Sequence, residues 1–444
     1  MVENGAFSSF LGDVLSEARR VADHAEVFGA LSQETPVRFE ANRLKEIQGR
    51  STRTVALRLV KGGRLGLSMS SGVTDPRAVV KMALETAPFG AEAKFEFPGR
   101  LGYPDVPVYD PEVEKVATEE MVQMGQQLID RVRRHTPELL CEGGVSKSFS
   151  ELFLANSNGA SAHYRRSLFS AGVEGTLVRG EDMLFVGDAD VSCHPLKDTR
   201  SVEEVTLWQL EMARAGAKVA TKTMPVVLTS RAVVGTLAMP LMVGFNGRTV
   251  LEGASPLKGK LGEKLLDEKL SLRDDPVTSF LPESRPCDDE GVPSRRTTLV
   301  QSGTITSFLY DLQTAGLAGA QSTGSASRSR GAMPSPGPSC LVFEEGTLSI
   351  EQMVSEIKEG IVVEHLMGAG QGNVLGGDFS GNLLLGFKIE NGAMVGRAKD
   401  VMVSGNIYQA LKGIVAMGSE SRLVHGTVKT PPIWLEGLAV AARG

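Results

Sequence analysis

The opening part of the chain switches between the hydrophobic spacing of helices and that of strands. Apolar residues three or four positions apart predict a helix over 9–23. Apolar and polar residues alternate around 37–39 and 55–59, which predicts two strands, and the Gly-Gly pair within 61–64 predicts a hairpin after the second strand. Asp75 precedes a further helical pattern and is a favourable N-cap. This part of the chain is therefore predicted to be mixed α/β.

The middle of the chain combines strand and helix patterns. Residues 88–112 carry several prolines without a sustained hydrophobic period, which is typical of an extended connection. A helix is predicted over 118–135, and the Asn-Gly pair at 158–159 predicts a hairpin. Serine and glutamate at 201–204 predict a capping box that opens a helix reaching about residue 217.

The remaining residues favour strands and turns. Strands are predicted over 297–301, 304–310, 383–390, 393–395 and 433–440. Three short helices are predicted to begin at Ser230, Ser349 and Asn406, because each of these residues can cap a helix. The second of them has a capping-box partner in Gln352 and is predicted to end at Gly360.

The predicted fold class is α+β. At 444 residues the chain exceeds the usual size of one hydrophobic core, so more than one domain is expected. Its 50 glycines suggest many tight turns, which favour antiparallel strands. We expect a mixed α/β N-terminal domain with a linker over 1–112, a middle α+β domain over 113–222, and a β-rich antiparallel C-terminal domain over 223–444.

Composition and charge narrow the classes of partner. The formal net charge of −6, the pI near 5.7 and the aromatic content of 5% do not favour nucleic-acid binding. The N-terminal residues lack the basic and apolar regions of a secretory signal. The most apolar stretch, 232–245, is interrupted by Gly and Pro and is too short to cross a bilayer. The four cysteines are far apart, as expected for reduced thiols. We therefore expect a soluble cytoplasmic protein without nucleic-acid or membrane partners.

The histidines do not predict a helical zinc site. Such a site needs two imidazoles one helical turn apart and a carboxylate that takes a proton from the bound water. No two of the six histidines are that close, so neither HExxH nor HExxxH occurs. Cys193 and His194 are adjacent, but neighbours on a strand point to opposite faces. No metal ligand is predicted from these patterns.

Residues 284–293, SRPCDDEGVP, concentrate a thiol and three carboxylates. The carboxylates disfavour the thiolate form of Cys287, so a nucleophilic role is not expected. The acids also lack the spaced oxygen ligands of a calcium loop. A polar turn that enters a hairpin at Arg296 is the simpler interpretation, and a functional role stays open.

The C-terminal half resembles the TldD/PmbA family at several ordered segments. Residues 284–296 (SRPCDDEGVPSRR), here called the acidic segment, resemble the family pattern (S/G)xPxDDEGxPxRR. Residues 322–324 (STG) are similar to its STGN. Residues 360–368 and 377–380 resemble its stretch ellmGxgvnxvtGdfS, and 403–406 (VSGN) resemble iaGN. The N-terminal pattern is also similar to the first domain of the family.

The resemblance implies a cytoplasmic bacterial or archaeal protein in a peptidase system that processes peptides or small proteins. In this family, TldD-like members carry HExxxH on a helix and a later cysteine that completes a zinc site. PmbA-like members, also called TldE, lack these ligands and pair with a TldD-like chain. If Val243 and Gly244 align with the VG of the family's HEAVGH, residues 240–245 read PLMVGF. No cysteine follows Cys340, so the later ligand is absent too.

The resemblance therefore implies a noncatalytic PmbA/TldE-like subunit that has no catalytic residue and binds no metal or other cofactor itself. Zinc is expected in a TldD-like partner, and the expected substrate is an unfolded peptide or small protein. The chain is expected to form a homodimer or a heterodimer.

A cleft for substrate or partner is expected at the family-like segments. Its expected residues are Arg285, Asp288, Asp289, Glu290, Arg295, Tyr310, Glu364 and Asp378. The sequence leaves open whether 328–338 forms a loop over this cleft. One alternative is an autonomous metallopeptidase or hydrolase, with a serine nucleophile or with a metal at scattered residues such as His194, His365 or Glu364. Another is a non-enzymatic peptide-binding homodimer.

Overall fold

The computed structural model describes residues 3–72, 74–329 and 333–442. The α-helices are α1 (Glu3–Arg19), α2 (Pro76–Thr86), α3 (Glu112–Lys115), α4 (Thr118–His135), α5 (Arg200–Met212), α6 (Ser230–Val233), α7 (Met239–Gly244), α8 (Gly247–Glu252), α9 (Leu312–Ala318), α10 (Ile350–Ser355) and α11 (Ile407–Ala410). A wider helical turn, Val234–Ala238, joins α6 to α7, and 3-10 turns lie at Ala87–Phe89 and Ala369–Gln371.

Strands occur along the whole chain. They are β1 (His24–Glu40), β2 (Arg43–Ile47), β3 (Arg50–Lys61), β4 (Arg64–Ser70), β5 (Leu140–Asn156), β6 (Ser161–Arg179), β7 (Asp182–Ser192), β8 (Gly216–Ala217), β9 (Lys222–Leu228), β10 (Leu272–Asp274), β11 (Thr297–Gln301), β12 (Thr304–Ile305), β13 (Ala326–Ser327), β14 (Ser335–Pro336), β15 (Leu341–Phe343), β16 (Glu359–Met367), β17 (Asp378–Glu390), β18 (Ala393–Ala398), β19 (Val401–Asn406), β20 (Ile414–Met417), β21 (Arg422–Val424), β22 (Val428–Thr430) and β23 (Ile433–Ala442). This mixture of helices and largely antiparallel sheets confirms the predicted α+β class.

The first sheet has seven strands in the order β4-β3-β1-β5-β6-β7, with β2 paired to β1. Each of its pairings is antiparallel. Strands on both sides of residue 112 pair directly, because β1 lies beside β5. The division of the chain at residue 112 stays a prediction, and this sheet is shared by the two segments that it would separate.

Two helices cover one face of the first sheet at opposite ends of its long strands. Alternate residues of β1 share a face, and Gly29 and Phe39 both belong to the helix-facing set. A Cβ atom on Gly29 would lie 2.4 Å from the Leu11 side chain of α1. At the other end, a Cβ atom on Gly125 of α4 would lie 2.4 Å from the Phe39 ring. Glycine at each contact therefore lets a helix approach the sheet closely, and a cavity of about 700 Å³ between the two helices is lined by Leu31, Gln33 and Thr35 of β1.

The last part of the chain forms two larger sheets and a short hairpin. One sheet has eight strands in the order β16-β9-β23-β19-β17-β18-β8, with β20 paired to β23. Since β16 also pairs with β17, the strands from β16 to β17 close into a ring. The other sheet has six strands in the order β12-β11-β10-β15-β22-β21, and β13 pairs with β14.

A hydrophobic core joins the first sheet to the closed ring. It contains Phe169 from β6, Val227 from β9 and Phe387 from β17, all of them fully buried. The Trp208 ring of α5 meets the Phe387 ring edge to face at 5.2 Å between centroids. Side chains from distant parts of the sequence therefore bury their apolar surface together.

Several local predictions are confirmed. Asp75 caps α2 through the N–H of Arg77, and α4 has its predicted bounds. The predicted turns at 61–64 and 158–159 each join paired antiparallel strands. Ser349 and Gln352 form the expected capping box of α10. Turns and helix caps depend on hydrogen bonds between residues that are close in sequence, so they can be predicted from the sequence alone.

Other boundaries were predicted wrongly. The first helix runs from Glu3 to Arg19, and α10 ends at Ser355 because the chain enters β16 at Glu359. The capping box at 201–204 does not form, since Ser201 Oγ donates to Asp190 Oδ2 of the neighbouring strand. The strand expected over 304–310 is only Thr304–Ile305. No described helix is both long enough and apolar enough to span a membrane.

Candidate functional site

Buried ionisable side chains gather where the first sheet meets the acidic segment. We call this group the buried charge cluster. Its members are Glu26, Arg58, Arg285, Asp288, Asp289, Glu290 and Arg328. Charged groups are rarely buried unless they are paired, so their partners determine what the cluster can do.

Arg58 of β3 lies between two carboxylates from distant parts of the chain. Its Nη1 donates to Glu290 Oε1 at 2.5 Å, and its Nη2 donates to Glu26 Oε2 at 3.2 Å. The guanidinium carbon also lies 4.8 Å and 4.9 Å from the ring centroids of Phe95 and Phe97. The Arg58 side chain is only 1% exposed. This arginine therefore ties the first sheet to the acidic segment without access to solvent.

Arg328 makes a second connection to the same sheet. Its Nη2 donates to Glu26 Oε1, its backbone N–H donates to Asp289 Oδ2 at 2.7 Å, and its Nε donates to the Asp289 carbonyl at 3.0 Å. Arg285 Nη1 lies 3.4 Å from the other Asp289 carboxylate oxygen. Of the 328–338 stretch, residues 330–332 lie outside the described residues, and Ser335 pairs with Ser327.

Asp288 organises the turn of the acidic segment. Its Oδ1 accepts the N–H groups of Glu290 at 3.0 Å and Val292 at 2.9 Å, and its Oδ2 accepts that of Ala326 at 3.0 Å. Gly291 supplies the left-handed backbone conformation of this turn, with φ of +76°. Both oxygens of Asp288 are therefore committed to backbone groups, an architectural role.

Burial dominates the acid–base properties of the acidic segment. It raises the pKa of Asp288 and of Glu290, although Arg285 favours the charged form of the first and Arg58 that of the second. Burial, and secondly the Asp288 charge, raise the pKa of the Cys287 thiol far above its usual range. Cys287 therefore stays protonated at neutral pH and is not activated as a nucleophile.

Two other residues of the expected cleft lie next to the acidic segment. The exposed Arg295 donates from Nη2 to the Ser322 carbonyl. Tyr310 is half-buried, and its carbonyl accepts the N–H of Thr323 at 3.1 Å. Arg295 and Tyr310 thus contact the same short turn. Glu290 also reaches this region, because its Oε2 accepts the N–H of Leu312 at 2.7 Å.

The last two residues of the expected cleft lie elsewhere. Glu364 is buried in β16 and accepts the Nε2–H of Gln209 at 3.1 Å, and burial raises its pKa. Asp378 is exposed at the start of β17, where its two oxygens accept from Asn406 Nδ2 at 2.8 Å and Asn373 Nδ2 at 3.2 Å. The structure therefore brings Arg285, Asp288, Asp289 and Glu290 together and separates Glu364 and Asp378 from them. A functional role for each of them stays a prediction.

The structure has a groove between the first sheet and the C-terminal strands that was not predicted from the sequence. It consists of three adjoining cavities of about 640, 270 and 250 Å³ that share Glu174 as a lining residue. We call it the central groove. Arg231, His365 and His425 line it opposite the first sheet. Burial, and secondly Arg231, lower the pKa of His365.

Strand register places two acidic residues side by side in the central groove. Glu142 of β5 and Glu174 of β6 become cross-strand neighbours only through their pairing. The Asn-Gly turn signal at 158–159 predicted this hairpin. Counting outward from a two-residue turn at 158–159 would pair Glu142 with Gly175, one position away from the observed register, so the pairing of the two acids also required the fold. Their position opposite Arg231 depends on tertiary packing that no local pattern encodes.

The helical segment at 240–245 is apolar and closely packed. Leu241 and Phe245 are fully buried, and the Phe245 ring centroid lies 6.2 Å from that of Phe308. A Cβ atom on Gly244 would lie 2.2 Å from the Tyr408 hydroxyl oxygen. Among the residues that the structure describes, no three His, Cys, Asp or Glu side chains are arranged to hold a metal ion.

Two family models match the chain. The model of the PmbA/TldA metallopeptidase C-terminal domain matches residues 221–442, and that of the PmbA/TldA metallopeptidase domain 1 matches residues 25–87. The chain belongs to the PmbA/TldD family. The predicted resemblance is thereby confirmed, and the C-terminal domain match includes the acidic segment and the helical segment at 240–245.

Relatives of this PmbA/TldD-family chain cover it to different extents. An uncharacterized protein of Methanocaldococcus jannaschii is 25% identical over 93% of this chain and 95% of its own length. A protein of Methanothermobacter thermautotrophicus named metalloprotease is 34% identical, but over only 40% of this chain and 38% of its own length. The crystal structure of TldE from Thermococcus kodakarensis superimposes with a TM-score of 0.87, covering 97% of this chain and 99% of that one at 24% identity. That likeness confirms the fold.

Proposed function

We propose that this chain is a noncatalytic, PmbA/TldE-like subunit of a cytoplasmic metallopeptidase system that acts on peptides or small proteins. The observation that carries the proposal is the packing at 240–245. If Val243 and Gly244 align with the VG of HEAVGH, Pro240, Leu241 and Phe245 occupy the positions of its first histidine, its glutamate and its second histidine. Apolar side chains cannot bind zinc or take a proton from its water. Zinc and the catalytic base would then belong to a TldD-like partner.

The buried charge cluster supports an architectural use of the acidic segment in this proposal. Asp288 accepts three backbone N–H groups, and Glu290 accepts one in addition to binding Arg58. Carboxylates whose two oxygens both accept hydrogen bonds from the protein have less capacity left for a metal ion or a reacting group. Their contribution would be to hold the C-terminal loops against the first sheet.

The cytoplasmic location is supported by the cysteines. Cys141, Cys193, Cys287 and Cys340 are all free and buried. Unpaired thiols are typical of a reducing compartment. In that setting the chain would act on unfolded peptide, which can bind through backbone hydrogen bonds to a sheet edge with little sequence preference.

The decisive experiment measures peptide hydrolysis by this chain alone, by an HExxxH-bearing relative from the same genome alone, and by the two mixed. Each sample is assayed with and without a chelator. Activity that the mixture shows above either chain alone, and that chelation abolishes, is expected. Hydrolysis by this chain alone would overturn the proposal and favour an autonomous hydrolase.

Light scattering on the same samples tests the partnership. We expect the mixture to form a complex whose mass is the sum of the two chains. A chain that remains a homodimer in the mixture, and that leaves the partner's mass unchanged, would instead be a peptide-binding homodimer. Both outcomes are read from the mass and do not depend on knowing the natural substrate.

A further inference from the structure

A cavity of about 400 Å³ lies where the first sheet meets helices α8 and α9. We call it the α8/α9 cavity. Its apolar walls come from Leu65, Ala91, Leu251, Leu317, Met333 and Pro334. Sites for small molecules are usually concave, mostly apolar and about 300–1,000 Å³ in volume. The α8/α9 cavity is of this kind, and none of the residues of the expected cleft lines it.

Two buried charged side chains at this cavity have unused hydrogen-bonding capacity. Arg58 and Asp311 both line it, and each side chain is only 1% exposed. Arg58 Nε has no hydrogen-bond partner among the described residues. Asp311 Oδ1 accepts the N–H and the hydroxyl of Thr314, both at 2.7 Å, whereas Oδ2 accepts no hydrogen bond from a described residue. An unpaired buried donor and an unpaired buried acceptor each cost free energy, so together they point to a ligand that pairs with both.

Arg248, the cation that pairs with Asp311, is held loosely. Its Nη2 lies 3.9 Å from Asp311 Oδ2, which is beyond hydrogen-bonding distance, and its side chain is 46% exposed. The same nitrogen donates to the Pro334 carbonyl at 3.3 Å. Arg248 therefore offsets the charge of Asp311 without filling the hydrogen-bonding capacity of Oδ2. What a ligand gains at this carboxylate is a hydrogen bond, not the relief of an unpaired charge.

The walls of the α8/α9 cavity are fixed by hydrogen bonds between distant parts of the chain. Gln313 of α9 accepts the N–H of Lys94 at 3.0 Å through Oε1, and its Nε2 donates to the Glu92 carbonyl at 2.9 Å. On the opposite side, Asn246 at the start of α8 donates from Nδ2 to the Pro336 carbonyl at 2.6 Å. The cavity is therefore formed before a ligand binds, and binding need not order its walls.

The polar atoms and the apolar walls together define the chemistry of the ligand. Asp311 Oδ2 needs a donor, and a carboxylate binds a charged ammonium group more strongly than a neutral N–H group. Arg58 Nε needs an acceptor, such as a carbonyl oxygen. The apolar walls favour an aliphatic side chain. An α-amino acid residue with a free amino group carries all three of these groups on neighbouring atoms.

We propose that the α8/α9 cavity binds an aliphatic α-amino acid residue with a free amino group, its ammonium group on Asp311 and its carbonyl oxygen on Arg58. A free amino acid and the first residue of a peptide share this chemistry. Arg248 and Glu252 are the exposed charged residues of the lining, and a following peptide residue would leave on their side. The site belongs to this chain alone and goes beyond the proposed function, which does not depend on it.

Isothermal titration calorimetry with four small probes tests the proposal. Leucinamide carries all three groups, whereas N-acetylleucinamide lacks the ammonium group, 3-methylbutylamine lacks the carbonyl group and glycinamide lacks the side chain. Leucinamide is expected to bind at least about tenfold more tightly than each of the other three. Equal affinities, or no binding of leucinamide, would overturn the inference. Free leucine and Leu-Ala-Ala are titrated in the same way: the tighter of the two gives the source of the ligand, and failure of both to bind would also overturn the inference.

Two variants locate the binding in the α8/α9 cavity. Asp311→Asn keeps an oxygen that can cap α9 but removes the charge, so it should abolish the preference for leucinamide over N-acetylleucinamide. Leu251→Trp fills the cavity and leaves both polar groups in place, so it should abolish binding. The control Leu261→Trp, at an exposed leucine outside the cavity, should bind as the native chain does.

Thermal unfolding shows whether each variant is folded, and Leu251→Trp keeps the test informative if Asp311→Asn unfolds. Native affinity in a folded Leu251→Trp would place the binding elsewhere and overturn the inference. The proposed function fails separately, in the hydrolysis assay.

Discussion

Asp274, at the end of β10, is a buried carboxylate whose two oxygens differ in their hydrogen bonding. Oδ1 accepts the N–H groups of Ser339 at 2.7 Å and Cys340 at 3.0 Å. Oδ2 has no hydrogen-bond partner among the described residues. Burial raises the pKa of Asp274 to about 7 in spite of those two hydrogen bonds and the charge of Arg285. The folded protein therefore holds a proton here that the unfolded chain releases at lower pH.

This proton makes stability depend on pH in a defined direction. Between about pH 4 and pH 7 the folded state binds more protons than the unfolded state, so the free energy of unfolding falls as pH rises, by at most about 4 kcal/mol. Asp274→Asn keeps an oxygen for the two N–H groups and should flatten this slope. Urea unfolding at pH 5 and pH 7.5 measures it. The exposed control Asp13→Asn should retain the native slope, and an unchanged slope in Asp274→Asn would contradict the assignment.

Arg58 is a second position where one side chain is expected to have a large effect on the stability of the fold. Arg58→Met leaves Glu26 and Glu290 buried without their shared cation, so the free energy of unfolding should fall by about 3–5 kcal/mol. Arg20→Met removes an exposed pair with Glu17 and should cost less than about 1 kcal/mol. Denaturant titrations of both variants compare the two costs. Similar losses would mean that Arg58 is compensated by water or by rearrangement.

At the scale of elements, the sequence predicted turns and caps better than element ends. Asp75 and the Asn-Gly turn at 158–159 act through neighbouring backbone groups, so their signals are complete within a few residues. Helix α5 shows the opposite case, because its expected cap Ser201 binds Asp190 of another strand. The candidate functional site shows the same difference between local and long-range features. The acidic segment was recognisable as a sequence, whereas its arginine partners at 58 and 328 required the fold.

The turn of the acidic segment offers a prediction at this scale. Gly291 has φ of +76°, and a Cβ atom there would lie 2.8 Å from the Leu154 side chain. Gly291→Ala should therefore cost about 2–3 kcal/mol of unfolding free energy, from backbone strain and crowding together. Gly62 has a similar φ of +56° in open space, so Gly62→Ala should cost only about 1 kcal/mol. Equal losses in denaturation would show that the Leu154 contact relaxes freely.

At the scale of the whole molecule, the shared core predicts one cooperative unfolding transition. Phe387 is fully buried in the core that joins the first sheet to the closed ring. Phe387→Ala should lower the free energy of unfolding by about 3–5 kcal/mol and move the entire transition. Calorimetry measures this, with the exposed Val395→Ala as a control of small effect. Two separate transitions, with only one shifted, would contradict a single cooperative unit.

The pairing of Arg58 with Glu26 and Glu290 has a consequence for how this chain can diverge. Arg58 and Glu290 lie 232 positions apart in the sequence, but together with Glu26 they form one buried group of paired charges. Recombination that joined the first domain of one relative to the C-terminal domain of another would bring together charges that had not been selected in each other's presence. The two domains are therefore expected to be inherited as a unit, and substitutions at these positions should appear in matched sets across a lineage.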